Sequence, residues 1–343
     1  EGEIINIFET REEVSSEKLE IFEGLLCPGF VNAHCHLELS HLKGIAEKGK
    51  GLLNFVDEVQ KRNEYSKKEI QSAIVKAEQQ MIENGIVALG DICNTTDTLL
   101  QKQKGNLQYY NFIETFGVHE NKIDDVFDQS MELRSEFRNA GQKASIVPHA
   151  PYSVPPKLMF KIANNFDESD ELFTIHMQET VAENQLFENK RGKFFDWLNN
   201  IKASSGIWKN RSKSTDVLKE LLNHKILLVH NTFTKKQDIT EYYYCTCPKA
   251  NLYIENSLPD YSIFNPEKLC VGTDSLVSNN SLSILEELKI IQENSDFDLN
   301  TLLKIACKNG AEVLGFENLG TFKNGKIPGV ILIQEFSKII IIA

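Results

Sequence analysis

The residues best suited to chemistry include two histidines at spacing two. His34 and His36 follow a short apolar run, 29–33, which is predicted to be a β-strand. Side chains at positions i and i+2 of a strand lie on the same face, so both imidazoles can reach one metal ion. Histidine pairs at this spacing also occur on ordinary sheets. The pair alone therefore does not decide between a metal site and two histidines of an ordinary strand.

Two further donors end other apolar runs. His176 ends the run 172–176, and Asp274 ends the run 269–274. Imidazole nitrogen and carboxylate oxygen suit a borderline divalent ion such as zinc. The alternative for Asp274 is an N-cap, because a helical pattern follows at 282–294. Taken together, His34, His36, His176 and Asp274 predict one metal site with room for water.

The elements that must position these donors are predicted from hydrophobic periodicity. Short apolar runs alternate with helical patterns such as 66–84 and 282–294, and a tyrosine-rich segment at 241–247 is predicted as an eighth strand. This alternation indicates an α/β fold, a distorted TIM (β/α)8 barrel, in which the carboxyl ends of the strands converge on one face. The other seven runs are 29–33, 86–91, 109–114, 144–148, 172–176, 226–230 and 269–274.

The two ends of the chain differ from the central segment, in which apolar runs alternate with helical patterns. Residues 1–27 and 316–343 contain short apolar pieces broken by charge and glycine, and they predict a small β-sandwich domain beside a barrel at 28–315. Within these ends, 4–8 and 19–22 look like strands, 25–29 looks like a turn, and the isoleucine run 339–342 is expected to be a buried strand.

One stretch is longer than a barrel unit requires. The aromatic-rich segment 187–213 separates His176 from His230 and is predicted as an insertion. It could form a lid over the pocket or a longer helix that packs outside the barrel, and we favour the helix.

Composition narrows the functional classes. The 343 residues are 41% hydrophobic and 25% charged, with a formal net charge of -12, which argues against a nucleic-acid partner. No segment approaches the roughly 20 apolar residues that span a bilayer, so no membrane association is expected. Seven scattered cysteines, including the close pair Cys245 and Cys247 on a predicted strand, are interpreted as reduced thiols of a cytoplasmic protein.

Six motifs, in order, resemble those of the amidohydrolase superfamily over about residues 20–330. The likeness is greatest to the branch with a single metal ion, which contains guanine, adenosylhomocysteine and aminodeoxyfutalosine deaminases and related chlorohydrolases. No lysine follows a strand in a position to bridge two metals, so one ion is expected. The motifs are PGFVNAHCH, PHAPYSV, HMQET, LVHNTFT, CPKANLYIENSLP and VGTDSLVSNNSLSILEEL.

The resemblance implies a role for each polar residue. His34, His36, His176 and Asp274 match the metal ligands, and Asp274 would also take a proton from the attacking water. Glu179 matches the carboxylate that carries protons to the ring nitrogen and to departing ammonia. His230 matches the histidine beside the hydrolytic water. The simpler alternative for Glu179 is an exposed acid in the first turn of a helix.

Substrate contacts are less well determined by the sequence. His149 matches a substrate-contacting position of the family, although it could be a turn histidine satisfied by the backbone. Arg62 could pair with a substrate carboxylate, such as the benzoate of aminodeoxyfutalosine, or could be a surface arginine. Of the remaining candidates, Glu38 and Ser153 follow predicted strands and Glu114 ends one.

The leading hypothesis is a metal-dependent hydrolytic deaminase of an aminopurine nucleoside or base. Aminodeoxyfutalosine, from the menaquinone route, is the first candidate substrate, ahead of adenosylhomocysteine, adenosine and guanine. The alternatives are a non-deaminating hydrolase resembling imidazolonepropionase or a triazine chlorohydrolase, and, last, an inactive binding protein. One zinc ion is the expected cofactor, with iron or manganese as substitutes. The partner is a small molecule, and the family's frequent dimers leave a homodimer open.

Overall fold

The computed structural model describes residues 2–9, 19–165, 172–221 and 224–343. The strands are β1 Leu25–Pro28, β2 Phe30–Cys35, β3 Ile86–Cys93, β4 Gln108–Thr115, β5 Lys143–Pro148, β6 Leu172–Met177, β7 Lys225–His230, β8 Tyr243–Thr246, β9 Leu269–Val271, β10 Val330–Gln334 and β11 Lys338–Ile341. The helices are α1 Leu52–Val59, α2 Lys67–Glu83, α3 Leu99–Lys102, α4 Ile123–Asn139, α5 Pro156–Asn164, α6 Val181–Asn189, α7 Lys193–Asn200, α8 Gly206–Lys209, α9 Pro248–Ile254, α10 Ile284–Glu293, α11 Leu299–Leu303 and α12 Asn309–Leu314.

Eight parallel strands close into a barrel. Strands β2 to β5 form one four-stranded parallel sheet and β6 to β9 form another. The halves join where the amide of His176 donates to the carbonyl of His149 at 2.9 Å. On the other side, the amides of Thr273 and Asp274 each donate to the carbonyl of His34 at 3.1 Å. The predicted (β/α)8 fold is confirmed.

The barrel strands coincide with the predicted apolar runs because parallel strands are covered on both faces and read as continuous hydrophobic segments. Every residue of β2 and of β6 is buried. The run at 269–274 ends three residues early, since β9 stops at Val271. Beyond it, a Cβ on Gly272 would lie 2.7 Å from the carbonyl oxygen of His34, and Asp274 has a φ of 55°. The chain therefore leaves the sheet after Val271.

Helix α2 shows why the predicted helical pattern at 66–84 was reliable. Ser66 is the N-cap, and its hydroxyl accepts a hydrogen bond from the amide of Glu69, while the Glu69 carboxylate accepts from the Ser66 amide. This reciprocal pair satisfies two amides that a helix start otherwise leaves without partners. The pattern at 282–294 likewise corresponds to α10.

The chain ends meet in a three-stranded antiparallel sheet with the order β1, β10, β11. The turn predicted at 25–29 is wrong, because Leu25–Pro28 is a strand whose partner lies about 300 residues later and is invisible to local patterns. The segments 4–8 and 19–22 form no strand in the described part of the chain. Positions 1 and 10–18 of the predicted small domain lie outside the described residues, and the domain boundaries remain predictions.

The expected burial of the run 339–342 is also wrong. It forms β11, but among the described residues β11 pairs only with β10, and Ile341 is 50% exposed. An edge strand keeps one side open to water, so an all-apolar sequence there does not imply burial.

The insertion at 187–213 forms helices α7 and α8 after the end of α6. Their buried side chains pack against Tyr152, which follows β5, against Leu52 of α1 and against Ile254 of α9, in a separate hydrophobic cluster. These partners follow the carboxyl ends of barrel strands. The insertion is therefore helical, as favoured, and it packs against segments on the face where the polar residues converge; whether it covers the pocket remains a prediction.

Two further expectations concern cysteines and membranes. All seven cysteines are free and buried, in line with reduced thiols. Among the described residues, no helix combines the length and apolar character needed to cross a bilayer.

Candidate active site

The four predicted metal ligands lie together at the carboxyl ends of β2, β6 and β9. The Nε2 atoms of His34 and His36 are 3.2 Å apart. Asp274 Oδ1 lies 3.7 Å from His34 Nε2 and 3.4 Å from His36 Nε2. Two groups of three side chains each have their ligand atoms within 4.8 Å of one another. One group is His34, His36 and His176, and the other is His34, His230 and Asp274, so His34 belongs to both.

Hydrogen bonds fix which imidazole nitrogen faces the cluster. His176 Nδ1 lies 2.9 Å from the carbonyl oxygen of His149, to which it can only donate. His230 Nδ1 lies 2.8 Å from Asn251 Oδ1, again an acceptor. Both rings therefore carry their proton on Nδ1 and leave Nε2 as a free lone pair. Metal-binding histidines are oriented by partners of this kind.

The charge states also suit a metal ion. Burial lowers the pKa of His36 to about 3 and that of His230 to about 4, so both are neutral at pH 7. Burial by itself would raise the pKa of Asp274, but the neighbouring rings of His34 and His36 hold that pKa below the usual range. Neutral imidazoles and an ionised carboxylate are the forms that bind metals. The donor set fits one divalent ion.

Three residues at the cluster have a left-handed backbone. The φ values are 48° at Gln178, 69° at His230 and 55° at Asp274. Non-glycine residues in this region cost on the order of 1–3 kcal/mol each, and such residues concentrate at functional sites. Hydrogen bonds compensate here, because the Gln178 carbonyl accepts from the amide of Phe233 at 2.9 Å.

Glu179 lies beside the cluster and is buried, with 4% of its surface exposed. The alternative of an exposed helical acid is therefore wrong. Its Oε1 is 3.6 Å from His230 Nε2, and burial together with the Asp274 charge raises its pKa well above the ordinary value. A carboxyl group with a raised pKa can hold a proton at neutral pH and give it up during a reaction.

Three of the predicted substrate residues adjoin the histidines. Glu114 Oε1 lies 3.6 Å from His176 Nδ1, and burial raises the pKa of Glu114 to about 8. His149 is half-buried, and its Nδ1 is 2.7 Å from Ser153 Oγ, so its ring is held by a side chain and not by the backbone. Contact of these residues with a substrate remains a prediction.

The other two candidates form a pair at the edge of the site. Arg62 Nη1 donates to Glu38 Oε1 at 3.2 Å. Glu38 Oε2 accepts from the amides of Asn94 and Thr95, both at 3.0 Å, so its carboxylate ties the loop after β3 to the segment after β2. The Arg62 side chain is 26% exposed, and a role in substrate binding remains a prediction.

The sequence did not single out the partners that orient the site. These are Asn251 on His230, Ser278, whose hydroxyl donates to Asp274, and Glu183, whose carboxylate accepts the amides of Gln178 and Glu179 at 2.9 and 3.3 Å. Asn251 and Ser278 lie inside the motifs quoted above. Glu183 lies three positions after the N-cap Thr180, a spacing typical of capping boxes.

Residues 25–339 match the family described as "Amidohydrolase family". The chain belongs to the amidohydrolase family. A relative, the adenosine deaminase of Helicobacter pylori (strain ATCC 700392 / 26695), is 26% identical over 319 residues, covering 88% of this chain and 77% of the relative.

Two solved structures are similar to this amidohydrolase in fold. Helicobacter pylori aminofutalosine deaminase in complex with methylthio-coformycin has a TM-score of 0.74 and 24% identity, covering 90% of this chain and 79% of that one. An adenosine deaminase from Xanthomonas campestris with bound zinc has a TM-score of 0.68 and 20% identity, covering 89% of this chain and 71% of that one.

Proposed function

We propose that this amidohydrolase removes an amino group from the ring of an aminopurine nucleoside, with water as the co-substrate and ammonia as the product. The observation that carries the proposal is the pairing of Glu179 with His230 at 3.6 Å, beside Asp274 and the three other histidines. Two carboxyl groups with opposite pKa shifts lie on one site, which is the arrangement that acid and base catalysis requires.

A divalent metal held by His34, His36, His176 and Asp274, which we propose is zinc, would supply a water of lowered pKa. Asp274, which its lowered pKa keeps ionised at neutral pH, would accept a proton from the attacking water. Its second oxygen keeps the hydrogen bond from Ser278 throughout, so the carboxylate does not rotate away.

Glu179 and His230 act on the substrate. Glu179 would donate a proton to the ring nitrogen next to the reacting carbon as water adds there. As a carboxylate it would then take the proton of the new hydroxyl group and pass it to the departing amine, and the proton held by Asp274 would restore the acid form of Glu179. His230 presents Nε2 to the attacking oxygen, because its Nδ1 is held by Asn251. The carbon–nitrogen bond breaks, ammonia leaves, and a carbonyl group takes its place.

Among substrates, we propose aminodeoxyfutalosine first. Support comes from the fold of the aminofutalosine deaminase and from the partly exposed Arg62, whose guanidinium could meet a carboxylate at the edge of the site. Adenosylhomocysteine, adenosine and guanine are the rival substrates. We further propose a cytoplasmic location, which seven free buried thiols support, and leave a homodimer as a prediction.

Ammonia release tests the proposed function. Metal-analysed protein, with and without added zinc, is incubated with aminodeoxyfutalosine, adenosylhomocysteine, adenosine and guanine. We expect zinc-dependent ammonia from one nucleoside, and its loss in Glu179→Gln with metal content unchanged. Glu188→Gln, an exposed acid on the neighbouring helix, serves as the control. No ammonia from any compound with fully metallated protein would contradict deamination and favour a non-deaminating hydrolase.

A further inference from the structure

A row of aromatic rings leads from the surface to the buried histidines. The ring of Phe116 lies 5.6 Å from that of His149, the His149 ring lies 4.9 Å from that of His176, and the His176 ring lies 5.4 Å from that of His230. His176 and His230 are buried, His149 is half-buried and Phe116 is 50% exposed. The row therefore runs from solvent to the metal cluster.

The position of Phe116 in the backbone is fixed. It follows Thr115, the last residue of β4, whose carbonyl accepts the amide of His149 at 3.1 Å. On its other side, the amide of Gly117 donates to the carbonyl of Ser153 at 3.0 Å. Phe116 is thus held at the same height on the barrel as the loop that carries His149 and Ser153.

An exposed phenylalanine at the carboxyl end of a barrel strand has no role in the core. Loops and strand ends on this face form the binding sites of the fold. Aromatic side chains at such positions offer a large apolar surface that a ligand can cover. Nothing in the proposed chemistry uses Phe116, because the proton transfers involve Glu179, His230 and Asp274.

We propose that Phe116 contacts the substituent on the 5′ carbon of the bound nucleoside and gives the enzyme a preference for an apolar or aryl group there. This inference rests on the proposed function. The reacting amino carbon of an aminopurine must lie at the histidine cluster. The 5′ carbon is at the far end of the nucleoside, and in the proposed binding mode the nucleoside lies along the row, with the 5′ substituent at the exposed ring of Phe116.

The proposal separates Phe116 from the polar candidates. His149, Glu114 and Ser153 offer hydrogen bonds suited to sugar hydroxyl groups, whereas Phe116 offers none. A nucleoside with a free 5′ hydroxyl would gain little from the phenyl ring, because the hydroxyl prefers water. A methylthio or aryl group would gain affinity by leaving water and covering the phenyl ring.

The test compares two inhibitors that differ only at the 5′ position, coformycin and methylthio-coformycin. Their dissociation constants are measured by isothermal titration calorimetry on zinc-loaded protein. We expect the wild-type protein to prefer methylthio-coformycin by about tenfold, a free-energy difference of about 1.4 kcal/mol. Phe116→Ala should abolish most of this preference while it leaves the affinity for coformycin nearly unchanged. Phe116→Leu, which keeps an apolar side chain, should retain part of it.

A matched control is Phe160→Ala on α5, since Phe160 is also exposed, at 67%, but lies outside the row of rings. It should leave the ratio of the two constants unchanged. An unchanged ratio in Phe116→Ala, with both compounds still bound, would overturn the inference and leave the proposed function intact. Wild-type protein that binds neither compound would contradict the proposed function, and the inference with it.

Discussion

Two buried polar clusters in this barrel differ in how completely they are hydrogen-bonded. In the Lys102 cluster, formed by Asp91, Cys93, Lys102 and Asn111, the ammonium is paired with Asp91 and also donates to Asn111 Oδ1 at 2.7 Å and to Cys93 Sγ at 3.2 Å. In the histidine cluster, His34 Nδ1 and Glu114 Oε1 have no hydrogen-bond partner among the described residues.

This difference indicates that the Lys102 cluster stabilises the fold, whereas the histidine cluster binds a ligand. A fully satisfied buried cluster holds its neighbours in place, whereas an unsatisfied buried oxygen such as Glu114 Oε1 costs free energy unless a ligand meets it. The two clusters are connected, because Asp91 Oδ1 accepts the amide of Leu37 at 2.8 Å, next to the proposed ligand His36. The Lys102 cluster therefore supports the turn that carries the histidine pair.

Asp274→Asn should have the largest effect on activity. Loss of the proposed proton acceptor should lower kcat for ammonia release by about 10³-fold, within the range for a general base. The fold should remain, since the amide can still accept the hydrogen bond from Ser278. Steady-state kinetics and thermal melting check this, with Asp124→Asn on the surface of α4 as the control. A fully active Asp274→Asn variant would remove Asp274 from the mechanism.

Lys102→Met should have the largest effect on stability. It leaves the Asp91 carboxylate buried and without its cation, which typically costs about 3–5 kcal/mol. The matched control is Lys157→Met, because Lys157 pairs with Asp124 at the surface at 2.9 Å, where a lost pair costs at most about 1 kcal/mol. Denaturant unfolding measures both variants. Similar small losses in the two would mean that burial does not distinguish the pairs.

Glu183→Gln should reduce activity through the position of Glu179. The Glu183 carboxylate accepts two adjacent amides, of Gln178 and Glu179, and a glutamine side chain has an oxygen for only one of them. We expect kcat to fall by about tenfold with KM and metal content unchanged, together with a shift in the pH profile of kcat. Glu188→Gln on the same helix is the control. A lower melting temperature with normal kcat would show that Glu183 is only structural.

The features that could be predicted from the sequence are those that depend on local patterns of residues. The barrel strands were found because each is a short buried run, and the four proposed ligands because each ends such a run. The pairing of Leu25–Pro28 with β10 was missed because it depends on a distant partner. The contacts of Asn251 and Ser278 were missed for a related reason, since an asparagine or serine in a motif does not reveal which imidazole or carboxylate it will meet. The helices of 187–213 could be recognised, but their packing site could not.

A smaller effect should appear in the pH dependence of stability at Glu287, a buried acid outside both clusters. Burial raises its pKa from the ordinary 4.5 to about 8, although the carboxylate accepts the amide of Lys249 at 2.8 Å and the side-chain amide of Asn279 at 2.8 Å. The folded protein thus holds this proton more tightly than the unfolded chain. Its contribution to stability is complete below about pH 4.5 and is lost as the pH rises through about 8.

Glu287→Gln removes this titration. Between pH 5 and pH 9 the melting temperature of the wild type should fall, and that of the variant should fall by several degrees less. Its neighbour provides a control of opposite sign. The pKa of Glu286 is lowered by its hydrogen bonds with Lys249 and Ser281, so Glu286→Gln should reduce the loss of stability toward acid pH instead. Parallel melting curves for wild type and Glu287→Gln at every pH would mean that Glu287 stays ionised in the fold, and that a buried acid here can be as well satisfied as the Lys102 cluster.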